Sequence, residues 1–107
     1  MRRLLPLAVS TIAAIAPTLA SAAGNPADGK QKSQACVACH AEDGNSTNPQ
    51  FPRLAGQHPD YLVKALRDYK SGERKNPIMA PFAASLSPRD MDDLASFFAA
   101  QRGLVTK

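Results

Sequence analysis

The chain has 107 residues, enough for one small domain, and its two cysteines exclude a disulfide-rich scaffold. Its formal charge of +4 comes without any block of basic residues interleaved with aromatics, which excludes a nucleic-acid-binding footprint. No run of alternating or β-branched residues could supply a sheet, so the expected class is all-α.

Residues 1–22 read as a secretory signal peptide. Arg2 and Arg3 form a charged start, Leu4 to Pro17 is mostly apolar, and Ala20-Ser21-Ala22 has the small-x-small form of a cleavage site. Cleavage after Ala22 leaves one mature domain, 23–107, and the loss of Arg2 and Arg3 lowers the formal charge from +4 to +2. The alternative is a retained anchor, but the stretch is barely long enough to span and is interrupted by Pro6, Ser10, Thr11 and Pro17. Export to a bacterial periplasm is expected, with no stable membrane insertion once the signal is gone.

A first helix is expected to open at Asn25-Pro26-Ala27-Asp28, with Asn25 as cap, Pro26 in the first helical position and Asp28 reaching back. It should run into Cys36-Val37-Ala38-Cys39-His40. On a helical turn, residues three and four apart share a face, so both thiols and the imidazole point the same way. Two thiols so spaced can add to the two vinyl groups of one haem edge, and the adjacent imidazole can bind the iron. Three other readings compete. A thioredoxin-type redox pair needs a βαβ context that the chain lacks. A zinc site needs a fourth ligand, and the only other histidine, His58, stands at no common zinc spacing. A plain disulfide would leave His40 an accident.

Residues 41–57 hold Gly44, Asn45, Ser46, Asn48, Pro49, Pro52 and Gly56 and read as loop. A second helix should open near Pro59, with Tyr61, Leu62, Ala65, Leu66 and Tyr69 on one side and Gly72 as its stop. Lys64, Arg67, Asp68, Lys70 and Ser71 fall on the other side. In Asn76-Pro77-Ile78-Met79-Ala80-Pro81 the two prolines should block regular helix and leave a stiff, irregular strap. A last helix should start at Ser87-Pro88-Arg89-Asp90 and end at Gly103, with Met91, Leu94, Ala95 and Phe98 as its apolar stripe and Phe97 beside it. Three principal helices around one haem is the expected architecture.

A haem held by His40 leaves its sixth iron position to be filled. Met91 belongs to the apolar stripe, where methionine is ordinarily core filler. His58 stands before the second helix and is the other imidazole. Met79, on a strap able to carry a side chain across the open haem face, is the expected distal ligand.

The ordered set resembles the class I c-type cytochromes, both the small bacterial monohaem forms and one half of the two-haem periplasmic forms. The parts are a short helix, Cys36-Val37-Ala38-Cys39-His40, Phe51-Pro52-Arg53-Leu54-Ala55-Gly56, the Tyr61 helix, Met79-Ala80-Pro81 and a terminal helix with Phe97 and Phe98. The likeness runs from about Gly24 to Gln101. It implies thioethers at Cys36 and Cys39, iron ligation by His40 and Met79, and a hydrogen bond from the other ring N–H of His40 to the Pro52 carbonyl. It further implies that the first and last helices cross near the haem, with Gly29 allowing close approach to Phe97 or Phe98.

The expected function is a soluble periplasmic one-electron carrier with one covalently attached haem c, and not an enzyme. Its partners would be redox proteins docking briefly at the haem edge: a donor dehydrogenase or membrane cytochrome complex, and an acceptor oxidase or reductase. Lys64, Arg67, Lys70, Arg74 and Lys75 could steer an acidic partner, or form an ordinary solvated face with Asp68 and Glu73. Two other classes remain: a haem subunit bound stably to a catalytic dehydrogenase or reductase chain, and a ligand sensor or peroxidase-like protein with an open sixth site.

Overall fold

The computed structural model describes residues 3–15 and 24–103. Residues 3–15 have no regular secondary structure and are exposed, and the expected cleavage sequence Ala20-Ser21-Ala22 lies outside the described residues. Among the described residues, no helix is long and apolar enough to cross a membrane, and there is no strand.

Among the described residues, five α-helices follow in order: α1 (Pro26–Lys32), α2 (Val37–His40), α3 (Pro59–Ser71), α4 (Met79–Ala84) and α5 (Pro88–Ala99). Between α1 and α2 lies a 3₁₀ turn, Ser33–Ala35. The all-α class holds, and α1, α3 and α5 begin at the expected residues. Each of the three has proline in its first turn, where a missing N–H costs nothing.

Two caps show how local sequence and tertiary contact divide the work. At Ser87 the capping box is complete: its hydroxyl accepts from Asp90 N at 3.1 Å and the Asp90 carboxylate accepts from Ser87 N at 2.9 Å. At Asn25 the side chain accepts from Ala27 N and Asp28 N, as expected, but Asp28 does not reach back. Asp93, far along the chain on α5, accepts the Asn25 N–H instead, at 2.7 Å.

The core is built on α5, which packs against α1 on one side and α3 on the other, while α3 also carries α4. Leu62, Leu94, Ala95, Phe97 and Phe98 form the buried cluster, with Cys36, Leu54, Val63 and Leu86 packed against it. Phe97 and Phe98 meet edge to face at 5.0 Å. They also divide the work of α5. Phe97 meets Gly29 of α1, where an added Cβ would stand 2.8 Å from the Phe97 Cβ; Phe98 faces Gly44 and the loop.

Three expectations need correction. The first helix does not run unbroken into the cysteines: it ends at Lys32, where the C-cap Ser33 bonds its hydroxyl back to Lys30 O at 2.7 Å. A 3₁₀ turn separates it from the single helical turn that holds both thiols, in which His40 N donates to Cys36 O at 2.9 Å. The stretch before Pro81 is not wholly irregular, because α4 starts at Met79. Asn76 Oδ1 accepts from Ile78 N at 2.9 Å and Met79 N at 3.0 Å, and Pro81 falls in the first turn, where it is tolerated. The last helix ends at Ala99 and not at Gly103, which instead packs on Ala55.

Candidate functional site

His40 ends α2, and the next residue makes the site possible. Ala41 has φ 69° and ψ 165°, a backbone state that residues with a side chain rarely adopt. The chain therefore turns sharply away from the helix at His40 and enters the loop. That loop is stiffened by its own polar groups: Arg53 Nε donates to Ser46 O at 3.2 Å, and Gln50 N donates to Asn48 Oδ1 at 2.9 Å. It is anchored to α5 where Gly56 N donates to Phe98 O at 3.0 Å.

A loop so held brings the Pro52 carbonyl to His40. Nδ1–H of His40 donates to it at 2.8 Å, and Phe51 meets the imidazole edge-on at 6.5 Å. The ring is buried, only 6% exposed, and its orientation is set. With Nδ1 committed, Nε2 is the nitrogen left to bind a metal.

His40 lines a cleft of about 260 Å³ together with Cys36, Cys39 and Met79. Its walls are apolar: Leu54, Leu62, Leu66 and Phe98 among others. The expected stripe of α3 is there; it borders this cleft, with Leu62 also in the buried cluster, and Tyr61 remains half exposed. Cys36 and Cys39 are free and half-buried; desolvation, with Cys39 close by, pushes the Cys36 thiol pKa up. Met91 is buried away from the cleft wall, as filler would be, and His58 stands exposed at the start of α3. Among the described residues, no group of three or more His, Cys, Asp or Glu converges as a zinc centre requires.

This donor set fits a haem on chemical grounds. It offers two unpaired thiols three residues apart, an imidazole with one nitrogen free, a thioether on a different helix, and apolar walls. Residues 26–101 match the family Cytochrome c. The chain belongs to that family. It therefore carries covalently bound haem c, one for its single cysteine pair.

Cytochrome c4 of Pseudomonas aeruginosa is 46% identical over 84 residues, which are 78% of this chain and 42% of that protein. Cytochrome c-554(548) of Halomonas halodenitrificans is 39% identical over 82 residues, 74% of this chain and 99% of that protein. The crystal structure of reduced cytochrome c4 from Pseudomonas stutzeri superposes with a TM-score of 0.73 at 41% identity, over 78% of this chain and 48% of that one. The chain thus spans about half the length of the cytochrome c4 proteins it matches, and nearly all of the Halomonas cytochrome.

The four residues expected at the haem, Cys36, Cys39, His40 and Met79, all line the cleft, but part of its rim was not read from the sequence. Arg53, Gln50, Gln57 and Asn76 line it as well. Asn76 was legible as part of the proline strap, though the turn its side chain makes with Ile78 N and Met79 N ahead of α4 was not.

Proposed function

We propose that this cytochrome c domain is a soluble periplasmic one-electron carrier in which His40 and Met79 would bind the haem iron, and that residues 1–22 are a signal removed to leave 23–107. It acts as a carrier and not as an enzyme. The observation that carries the reading is that Met79 and His40 line the same cleft as the cysteine pair although they lie on different helices.

The haem supplies an iron that can hold or release one electron. The chain does the rest. His40, held by Pro52, keeps its lone pair aimed into the cleft in one orientation. Met79 provides a polarisable sulfur that favours the reduced iron over what a second imidazole would give. The apolar walls penalise the extra charge of the oxidised state and raise the potential in the same sense. Two fixed ligands mean little has to move when the charge changes. With His40 and Met79 both bound to it, the iron would keep no place for a substrate.

The test is the visible spectrum of the exported, purified protein, oxidised and then reduced. Low-spin haem with a far-red sulfur-to-iron charge-transfer band in the oxidised form is expected. A low-spin spectrum without that band moves the distal ligand away from Met79. High-spin iron overturns the carrier reading in favour of an open site. Purification as a fixed complex with a larger catalytic chain overturns the free-carrier form and leaves a haem subunit.

A further inference from the structure

The cleft wall is not electrically neutral. Among the described residues that line it, the side chains with a permanent charge are Arg53 and Arg74, and no Asp or Glu lines it. A ligand with carboxylates at one edge suits such a wall, and haem c carries two propionates. The two guanidiniums are not equivalent. Arg53 already spends Nε on the Ser46 carbonyl.

Arg74 is delivered by a particular piece of local structure. Gly72 closes α3 with φ 86°, the left-handed state that glycine adopts without cost. This turn folds the chain back, so that the N–H groups of Gly72 and Arg74 both donate to Asp68 O at 3.0 Å. The Arg74 guanidinium then lies 4.8 Å from the centre of the Tyr69 ring, and its Nη1 is 3.4 Å from the Tyr61 hydroxyl. Tyr61 and Tyr69 lie two turns apart on α3 and both line the cleft. Together they bracket a planar cation at its rim. Stacking on a ring and one long hydrogen bond leave most of its five N–H donors unspent.

We infer that Arg74 is the cation that pairs with a haem propionate in this cleft, with Tyr61 and Tyr69 as the residues that position it. The inference rests on haem occupying the cleft. A guanidinium suits a carboxylate because its two parallel N–H groups match the two oxygens. Set beside the haem, its charge also disfavours the more positive, oxidised state, so Arg74 helps to hold the potential up.

The test compares the reduction potential of the holoprotein, by spectroelectrochemical titration, in wild type, Arg74→Gln, Arg74→Lys and Arg67→Gln. Arg74→Gln is expected to have a clearly lower potential than wild type. Arg74→Lys should fall less, since an ammonium keeps the charge but neither the fork nor the stacking. Arg67→Gln removes the same charge from an exposed position off the cleft wall and should stay at the wild-type value. An unchanged potential in Arg74→Gln overturns the inference, and so does an equal fall in Arg67→Gln, which would reduce the effect to net charge. The far-red band, recorded in each oxidised protein, reports on Met79 independently. Its loss in Arg74→Gln but not in wild type also overturns the inference, because Arg74 would then act by shaping the strap. Its absence from wild type defeats the ligand reading alone, and the potentials still decide the role of Arg74. Should Arg74→Gln fail to accumulate, a fall in Arg74→Lys supports the pairing and no fall overturns it.

Discussion

Gly29 of α1 lies so close to Asp93 of α5 that a Cβ added to Gly29 would stand 2.0 Å from the Asp93 carbonyl oxygen. The two helices therefore touch backbone to backbone at this point. The Asp93 side chain closes the same contact, accepting from Asn25 N at 2.7 Å and Lys32 Nζ at 2.6 Å and forming an ion pair with Arg89 at 3.2 Å. One residue of α5 thus fixes both the distance and the orientation of α1, and α1 leads directly to the haem-bearing turn.

Gly29→Ala should be destabilising. In an exposed helix this change gains about 1 kcal/mol. Here the neighbouring atoms are backbone and cannot rotate aside, so overpacking of about 1–3 kcal/mol or more should win. A thermal melt should show a fall of at least several degrees, whereas a rise would mean that α1 is not seated on α5 as described.

Ala41→Gly should do the opposite. Its φ of 69° with ψ of 165° costs a residue with a side chain about 1–3 kcal/mol, and glycine gives back less than 1 kcal/mol in unfolded-state entropy. A net gain of about 1 kcal/mol is expected in a denaturant titration, with the haem spectrum unchanged.

Stability should fall on the acid side. Lys32 and the Asn25 N–H lower the pKa of Asp93, and Ser87 N–H with Lys32 brings Asp90 down to about 2. Both carboxyls have folded pKa values below their unfolded ones. Their contribution is therefore fully present above about pH 4 and is lost as the pH falls toward about 2. Asp93→Asn should lower the melting temperature at pH 7 and flatten the acid limb; an unchanged acid limb would show that the clasp carries none of the pH dependence.

Met79→Ala should abolish the far-red band of the oxidised protein and let the reduced protein bind carbon monoxide rapidly. The domain should still fold, since Met79 borders the cleft and the buried cluster is made by α3 and α5. Retention of the band would assign the distal ligand elsewhere.

Electron exchange with an acidic partner should slow as ionic strength rises, and the structure narrows which charges matter. Lys64 pairs with Asp68, and Lys70 donates to the Leu86 carbonyl. Arg67 and Lys75, both exposed, are the better candidates for steering. Arg67→Gln with Lys75→Gln should weaken the salt dependence more than Lys64→Gln; a salt-independent wild-type rate would remove steering altogether.

What was legible in the sequence was local. The cysteine spacing, the prolines opening α1, α3 and α5, the Ser87 box and the Gly72 stop each depend on neighbours within a turn or two, so residue identity suffices to read them. The donors were legible for a related reason: haem chemistry demands particular atoms, and few residues here offer them. What sequence reasoning missed or left open depends mostly on distant partners. Asp93, rather than Asp28, completes the cap at Asn25 because α5 lies across α1. The start of α4 is the local exception: the Asn76 side chain accepts from Ile78 N and Met79 N, two and three residues on, and so turns the expected strap toward helix. Gly29 meets Phe97 and not Phe98 because the rotation of α5 assigns one ring to α1 and the other to the loop. Only the packed fold decided that Arg74 stands at the cleft, since that placement takes a glycine turn and two tyrosines acting together. The sequence by itself determined the cofactor and where α1, α3 and α5 begin. The tertiary structure decided which side chains surround the haem, because those contacts are set by how α1, α3 and α5 pack against one another and not by the residues adjacent in the chain.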